Sequence, residues 1–219
     1  MASLTTDEAA RRLGISSRRV VELLRHGLLD GRQVHTEWLV SEASVGSRTR
    51  AGRSNGRPLT PATTRAVVQA LSGEGTLGSR HRSLVTDRDV LSLASALSRP
   101  VRVDRYAVRD LDLVRPHLRP TGEDALDRIV EAPVAALAGV SRSVHGYLRD
   151  VDLADLVDDV GLVPADDGAV HIHRFRDDVF PWHDVPRALV AVDAARSEAA
   201  RVRAAGLDAL ERMRSSWLA

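Results

Sequence analysis

Apolar residues in the first forty positions recur twice at helical spacing and then fall into short alternating runs. Ala9, Ala10 and Leu13 lie about one turn apart in TTDEAARRL, and Val20, Leu23 and Leu24 repeat that spacing in SSRRVVELLRHG. Thr5 or Thr6 is placed to cap the first helix, with Asp7 and Glu8 in the first turn, where the helix dipole favours acids. Gly14 ends that helix, Ile15 is the buried turn residue, and Ser16 caps the second helix. Ser17, Arg18, Val21, Glu22 and Arg25 then face outward, and Gly27 closes the element. DGRQV and EWLV read as two strands around His35 and Thr36, with Trp38 folded back as core, and residues 41–45 open another short helix.

Beyond this point the pattern changes. VGSRTRAGRSNGRP (45–58) has no periodicity and is rich in Gly, Ser and Arg, which predicts a flexible basic linker. Thr60 and Pro61 open a helix that runs to Leu71, with proline at its first position. Residues 72–79 form a break, Asp87 to Leu97 is helical, and Pro100 stops it. VRVDRYAV (101–108) and GAVHIHRF (168–175) alternate as strands; VDLADLVDDVGLV is an amphipathic helix ending at Gly161. DALDRIVEAPVAAL mixes helix signals with the interruption at Pro133, and Val185 to Leu218 is one long helix, or two broken near Gly206. The expected fold is α+β: a winged helix-turn-helix with a basic arm (1–58), a helical connector (59–100) and a mixed α/β partner-binding domain (101–219).

A helix-turn-helix needs a small turn residue, a buried hydrophobe after it, and polar or basic groups on the outward N-terminal positions of the second helix. Gly14, Ile15 and the run Ser16-Ser17-Arg18-Arg19 supply all three. Arg18 is suited to a bidentate contact with guanine, and Ser16 and Ser17 to phosphate at the helix N-terminus. Arg19 extends the same basic start, while Arg25, Arg32 and His35 are placed for backbone or minor groove. Arg48, Arg50, Arg53 and Arg57, spaced two to four apart, read as an arm that neutralises phosphates.

TTDEAARRLGISSRRVVELLRHGLL followed by RQVHTEWLVSEAS resembles the excisionase/MerR-type winged helix-turn-helix over about 45 residues. The chain departs from effector-sensing MerR regulators in lacking an aromatic pair after the basic start of the second helix. It also runs on for some 160 residues past the end of a free-standing excisionase. The segment SRTRAGRSNGRPLTPATTRAVVQALSG, the strand HIHRF and the ending VPRALVAVDAARSEAARVRAAGLDAL resemble actinobacterial antitoxins of the abortive-infection E type. That resemblance implies a transcriptional repressor of its own promoter, binding double-stranded DNA, as a homodimer if two half-sites are read. Its second domain would meet a nucleotidyltransferase toxin. The rival readings are an effector-sensing regulator and a protein-interaction module that never meets DNA.

Composition narrows the field without choosing within it. All 31 basic residues are arginine and there is no cysteine, which excludes disulfides, thiolate catalysis and cysteine zinc sites. Residues 1–105 hold 17 Arg against 10 acids (+7) and residues 106–219 hold 14 against 20 (−6). A basic half and an acidic half point to two partners. The N-terminus has no apolar leader and no apolar stretch reaches membrane-spanning length, so a cytoplasmic protein without membrane contact is expected. No G-x-S-x-G elbow, Walker loop, H-E-x-x-H or dinucleotide turn occurs, so neither catalysis nor a cofactor is expected. His171 and His173 share one strand face with His183 near in sequence, but nothing fixes a third ligand, and exposed histidines are expected rather than a metal site. The seven aspartates of residues 150–173 either mimic a phosphate backbone or form the polar side of a helix and a turn. Phe180-Pro181-Trp182 is either a core plug, the preferred reading, or an exposed anchor.

Overall fold

Thr5 is the residue that caps the first helix. Its hydroxyl accepts from the Glu8 amide at 3.2 Å while the Glu8 carboxylate accepts from the Thr5 amide at 2.8 Å, a reciprocal capping box that starts α1 (Thr6–Leu13). Gly14 ends α1 in the left-handed conformation (φ 61°), which a side chain would resist. The Ser16 hydroxyl accepts from the Arg19 amide at 3.3 Å and opens α2 (Ser17–Arg25). The computed structural model describes residues 3–25, 29, 31–34, 36–50, 58–130, 143–149 and 151–219, so the expected stop at Gly27 lies outside the described residues. The hairpin is present as β2 (Gly31–Val34) and β3 (Glu37–Ser41), and a further strand, β1 (Ser3–Thr5), pairs with the other side of β3. These elements, with α3 (Glu42–Arg50), enclose a small core of Leu4, Ala9, Ala10, Val20, Leu23, Leu24, Leu29, Val40 and Val45, with Trp38 packed against it.

The chain is a mixed α+β protein that divides into residues 1–55 and residues 56–219, each with its own sheet. Residues 45–50, expected as flexible linker, are instead helical within α3: Val45 is buried in the first core, so an apolar anchor holds a stretch whose composition argues against a helix.

The second unit is built on α4 (Pro61–Leu71), α5 (Ser79–Thr86), α6 (Val90–Ser98), β4 (Val101–Ala107), β5 (Leu118–Pro120), the 3-10 segment Gly122–Arg128, β6 (Val144–Leu148), α7 (Leu153–Val160), β7 (Val163–Pro164), β8 (Val170–Phe175), α8 (Arg187–Ala194) and α9 (Ala200–Leu218). Its sheet has the order β5-β6-β8-β4-β7; β6 and β8 are parallel and the other pairs antiparallel. Alternation along the strands divides the core in two. Val101, Tyr147 and Phe175 face a helical layer containing Val67, Leu93, Leu97, Leu189 and Leu210. Tyr106, Val144, Val170 and Ile172 face Val114, Leu156 and Leu162. The helices at residues 61–98, expected as a connector, therefore contribute to the same core as the sheet. Residues 131–142, including the interruption at Pro133, lie outside the described residues.

α8 is buried on every side, which explains its unbroken apolar composition outside Arg187 and Asp193. The C-terminal helical stretch breaks at residues 195–199 and not near Gly206, which lies inside α9 at its crossing with α8. A Cβ there would stand 2.5 Å from the Ala195 amide nitrogen and 2.7 Å from the Ala191 carbonyl oxygen. Gly→Ala in an exposed helix stabilises by up to about 1 kcal/mol. Gly206→Ala is expected to do the opposite, costing about 1–3 kcal/mol by forcing the two helices apart. A rise in the denaturant midpoint of the variant would overturn this account of the crossing.

Candidate functional site

On α2 the buried Val20, Leu23 and Leu24 mark one side of the helix. At 100° per residue, Arg18, Glu22 and Arg25 fall on the opposite side, within about 60° of one another. The Arg18 side chain is 91% exposed. Glu22 lies between the arginines: one carboxylate oxygen is 2.8 Å from Arg19 Nη1 and the other 3.6 Å from Arg18 Nε. The N-terminus of α2 is fixed from behind, because the Ser17 hydroxyl donates to the Asp7 carboxylate of α1. Arg12 of α1 pairs with Glu42 of α3 and ties the third helix to the first.

Each expected DNA-contacting residue can be placed against this frame. Arg18, Arg19 and Arg25 are exposed on α2, and Arg32 is exposed on β2 opposite Leu39 of β3. Ser16 and Ser17 are at the start of α2, but their hydroxyls already serve the cap and Asp7. Arg48 is half-buried on α3 and Arg50 is the last residue of that helix, so neither belongs to an extended arm. His35 and Arg53 lie outside the described residues. The unit boundary also reduces the charge contrast: residues 1–55 hold 9 Arg against 6 acids (+3), and residues 56–219 hold 22 against 24 (−2). The residue missed in the sequence was Glu22, whose i+4 spacing from Arg18 and i+3 spacing from Arg19 was the available signal.

A second polar constellation lies under α8. Parallel pairing of β6 and β8 sets His145 beside His171 and Tyr147 beside His173. The His145 and His171 ring centroids are 4.1 Å apart, and those of His145 and His173 5.9 Å apart. His173 is 4% exposed, with Nδ1 3.3 Å from Asp193 Oδ1. The other Asp193 oxygen accepts from the Thr121 hydroxyl at 2.8 Å and the Tyr147 hydroxyl at 3.0 Å. His173 is thus buried between the sheet and α8, and His171 is half-buried against His145, so neither is fully exposed on a strand face. Their neighbour His145 was not foreseen, because the register that brings it there is set by tertiary pairing.

Burial, with His171, His173 and Arg105 all close enough to oppose a further positive charge, lowers the His145 pKa to about 2. Burial, Arg105 and His173 lower that of His171 to about 3. Both imidazoles are neutral at physiological pH. Burial opposes ionisation of Asp193, but His173, Arg196 and the Thr121 hydroxyl outweigh it and hold the carboxyl below its ordinary range. Among the described residues no group of three or more His, Cys, Asp or Glu is arranged to hold a metal ion.

The remaining candidates have structural explanations. Phe180 stacks on Tyr147 with centroids 4.7 Å apart and meets Trp182 edge-on at 5.3 Å, so Phe180-Pro181-Trp182 seals the core. Asp152 caps α7, Asp155, Asp158 and Asp159 line its exposed side, and Asp166 and Asp167 form a turn. No described helix is long and apolar enough to cross a membrane. No family model, curated protein or solved structure matches the chain.

Proposed function

We propose that this protein is a sequence-specific DNA-binding repressor whose first unit acts as a winged helix-turn-helix. The observation that carries the reading is the exposed arginine stripe of α2, diametrically opposite that helix's buried side, with the β2–β3 hairpin in the same unit as a wing. A helix held from behind by Asp7 and by its apolar side is free to enter a major groove with Arg18 leading. The second unit would supply protein contact. The resemblance to abortive-infection antitoxins makes a nucleotidyltransferase toxin the proposed partner, and DNA half-sites would be read by a homodimer.

Binding of the full chain to its own upstream duplex and to random duplex, across a salt series, tests the reading. Arg18→Ala is expected to lose about 1–3 kcal/mol of preference for the cognate duplex. Arg25→Ala is expected to weaken both duplexes alike and to flatten the salt slope by about one. Absence of any binding at low salt would exclude the reading. The antitoxin component is checked separately: co-expression with the neighbouring gene product should relieve growth arrest, and a neighbour that is no nucleotidyltransferase removes that component alone.

A further inference from the structure

We propose that Glu22 is a specificity-determining residue of the α2 surface beside Arg18, an acceptor that reads the cytosine amino group and penalises guanine and thymine. The inference rests on the DNA reading above and goes beyond it. Glu22 is one turn from Arg18 and one turn from Arg25 on the side of α2 opposite the core, and its side chain is 39% exposed. It is within ion-pair reach of two guanidinium groups, Arg18 at 3.6 Å and Arg19 at 2.8 Å. Beyond the small support such pairs add to the helix, a carboxylate there works against phosphate binding, since it repels the backbone and draws two of the cations along the helix.

Base edges give that carboxylate a purpose. Guanine offers two acceptors in the major groove, which suit Arg18, whereas cytosine offers an amino donor, which suits a carboxylate. Opposite guanine O6 or thymine O4 the Glu22 carboxylate would face another acceptor and be desolvated without a partner. Arg18 and Glu22 therefore form a donor–acceptor pair one helical turn apart. Glu22 also holds Arg19 at 2.8 Å, away from phosphate, which keeps binding to arbitrary sequence weak.

The test uses the full chain. A preferred duplex is first selected by the wild-type protein from a randomised library. Wild type, Glu22→Gln and Glu22→Asp are then compared on the selected and random duplexes over a salt series. Glu22→Gln is expected to bind random duplex about tenfold more tightly, with a salt slope steeper by about one as Arg19 is released. It is also expected to lose about tenfold of preference at a cytosine position of the site. Glu22→Asp keeps the charge but shortens the reach, so random-duplex affinity should stay low while the cytosine preference falls. Equal change on both duplexes, or an intact cytosine preference in Glu22→Gln, overturns the inference and leaves the DNA reading standing. A wild-type protein that binds no duplex removes both.

Discussion

Replacing Asp193 by alanine is expected to cost the second unit about 3–5 kcal/mol, read as a drop in its denaturant midpoint. Asp193 sits inside a helix that is otherwise apolar and buried beyond Arg187, and its carboxylate accepts from the Thr121 and Tyr147 hydroxyls and lies 3.3 Å from His173 Nδ1. Alanine removes the acceptor while leaving the two hydroxyls where water cannot reach them, and it also removes the charge beside the buried His173, so the full desolvation of both hydroxyls is felt. Asparagine keeps the shape and one acceptor oxygen but loses the charge, and a smaller loss of about 1–3 kcal/mol is expected. Domains of this size are held by about 5–15 kcal/mol, so the alanine variant should lose between about a fifth and all of that margin. Arg18→Ala, on an exposed helix face, should by contrast stay within about 0.5 kcal/mol of wild type. An Asp193→Ala protein with an unchanged midpoint would show that the network under α8 holds nothing together.

The difference between those two residues also marks what could be read in the sequence. Arg18 was legible because everything that exposes it is local: Gly14 in the turn, Ser16 as cap, and Val20, Leu23 and Leu24 at helical spacing. Helix α4 was legible for the same reason, with Thr60 and Pro61 marking its start to the residue. Asp193 gave a signal that went unused, a single acid in the apolar run ALVAVDAA, where only a buried partner explains a charge. His145 gave none, because its neighbours come from a parallel strand pairing across 26 residues of chain. The start of α3 was expected, but its continuation over residues 45–50 was read as linker because composition favoured one, and the burial of Val45 that fixes it is visible only in three dimensions. A break near Gly206 was one of two readings left open, because sequence cannot separate a glycine that ends a helix from one that lets another helix come close.

The second unit is expected to lose about 2–4 kcal/mol of stability between pH 7 and pH 5. His145 and His171 are neutral in the fold, with pKa values lowered to about 2 and about 3, whereas in the unfolded chain they titrate near 6.5. Below pH 6.5 the unfolded state therefore binds protons that the folded state refuses, and stability falls with pH by up to about 1.4 kcal/mol per unit for each ring. The loss continues until the folded pKa values are reached. The charges facing the cluster do not relieve it. Arg105 on β4 is cationic and paired with Glu198, Arg196 adds a second positive charge, and Asp193 is already committed to His173. Asp124 lies nearer, accepting from the His145 amide at 2.6 Å and contacting Arg115 at 3.4 Å. Burial raises its pKa, so the fold takes up its proton sooner than the unfolded chain and offsets part of the loss at the acid end. Asp193, held low, adds its own loss only as pH falls into and through the ordinary carboxylate range. Glu8 in the first unit behaves in the same way, so that unit should hold through the window in which the histidines act. Urea unfolding of the full chain at pH 7 and pH 5 measures the effect, with Trp182 and Trp217 reporting the second unit and Trp38 the first. His171→Gln should remove about half of the pH dependence, and a second unit equally stable at both pH values would mean that water reaches the two imidazoles despite their 4.1 Å ring contact.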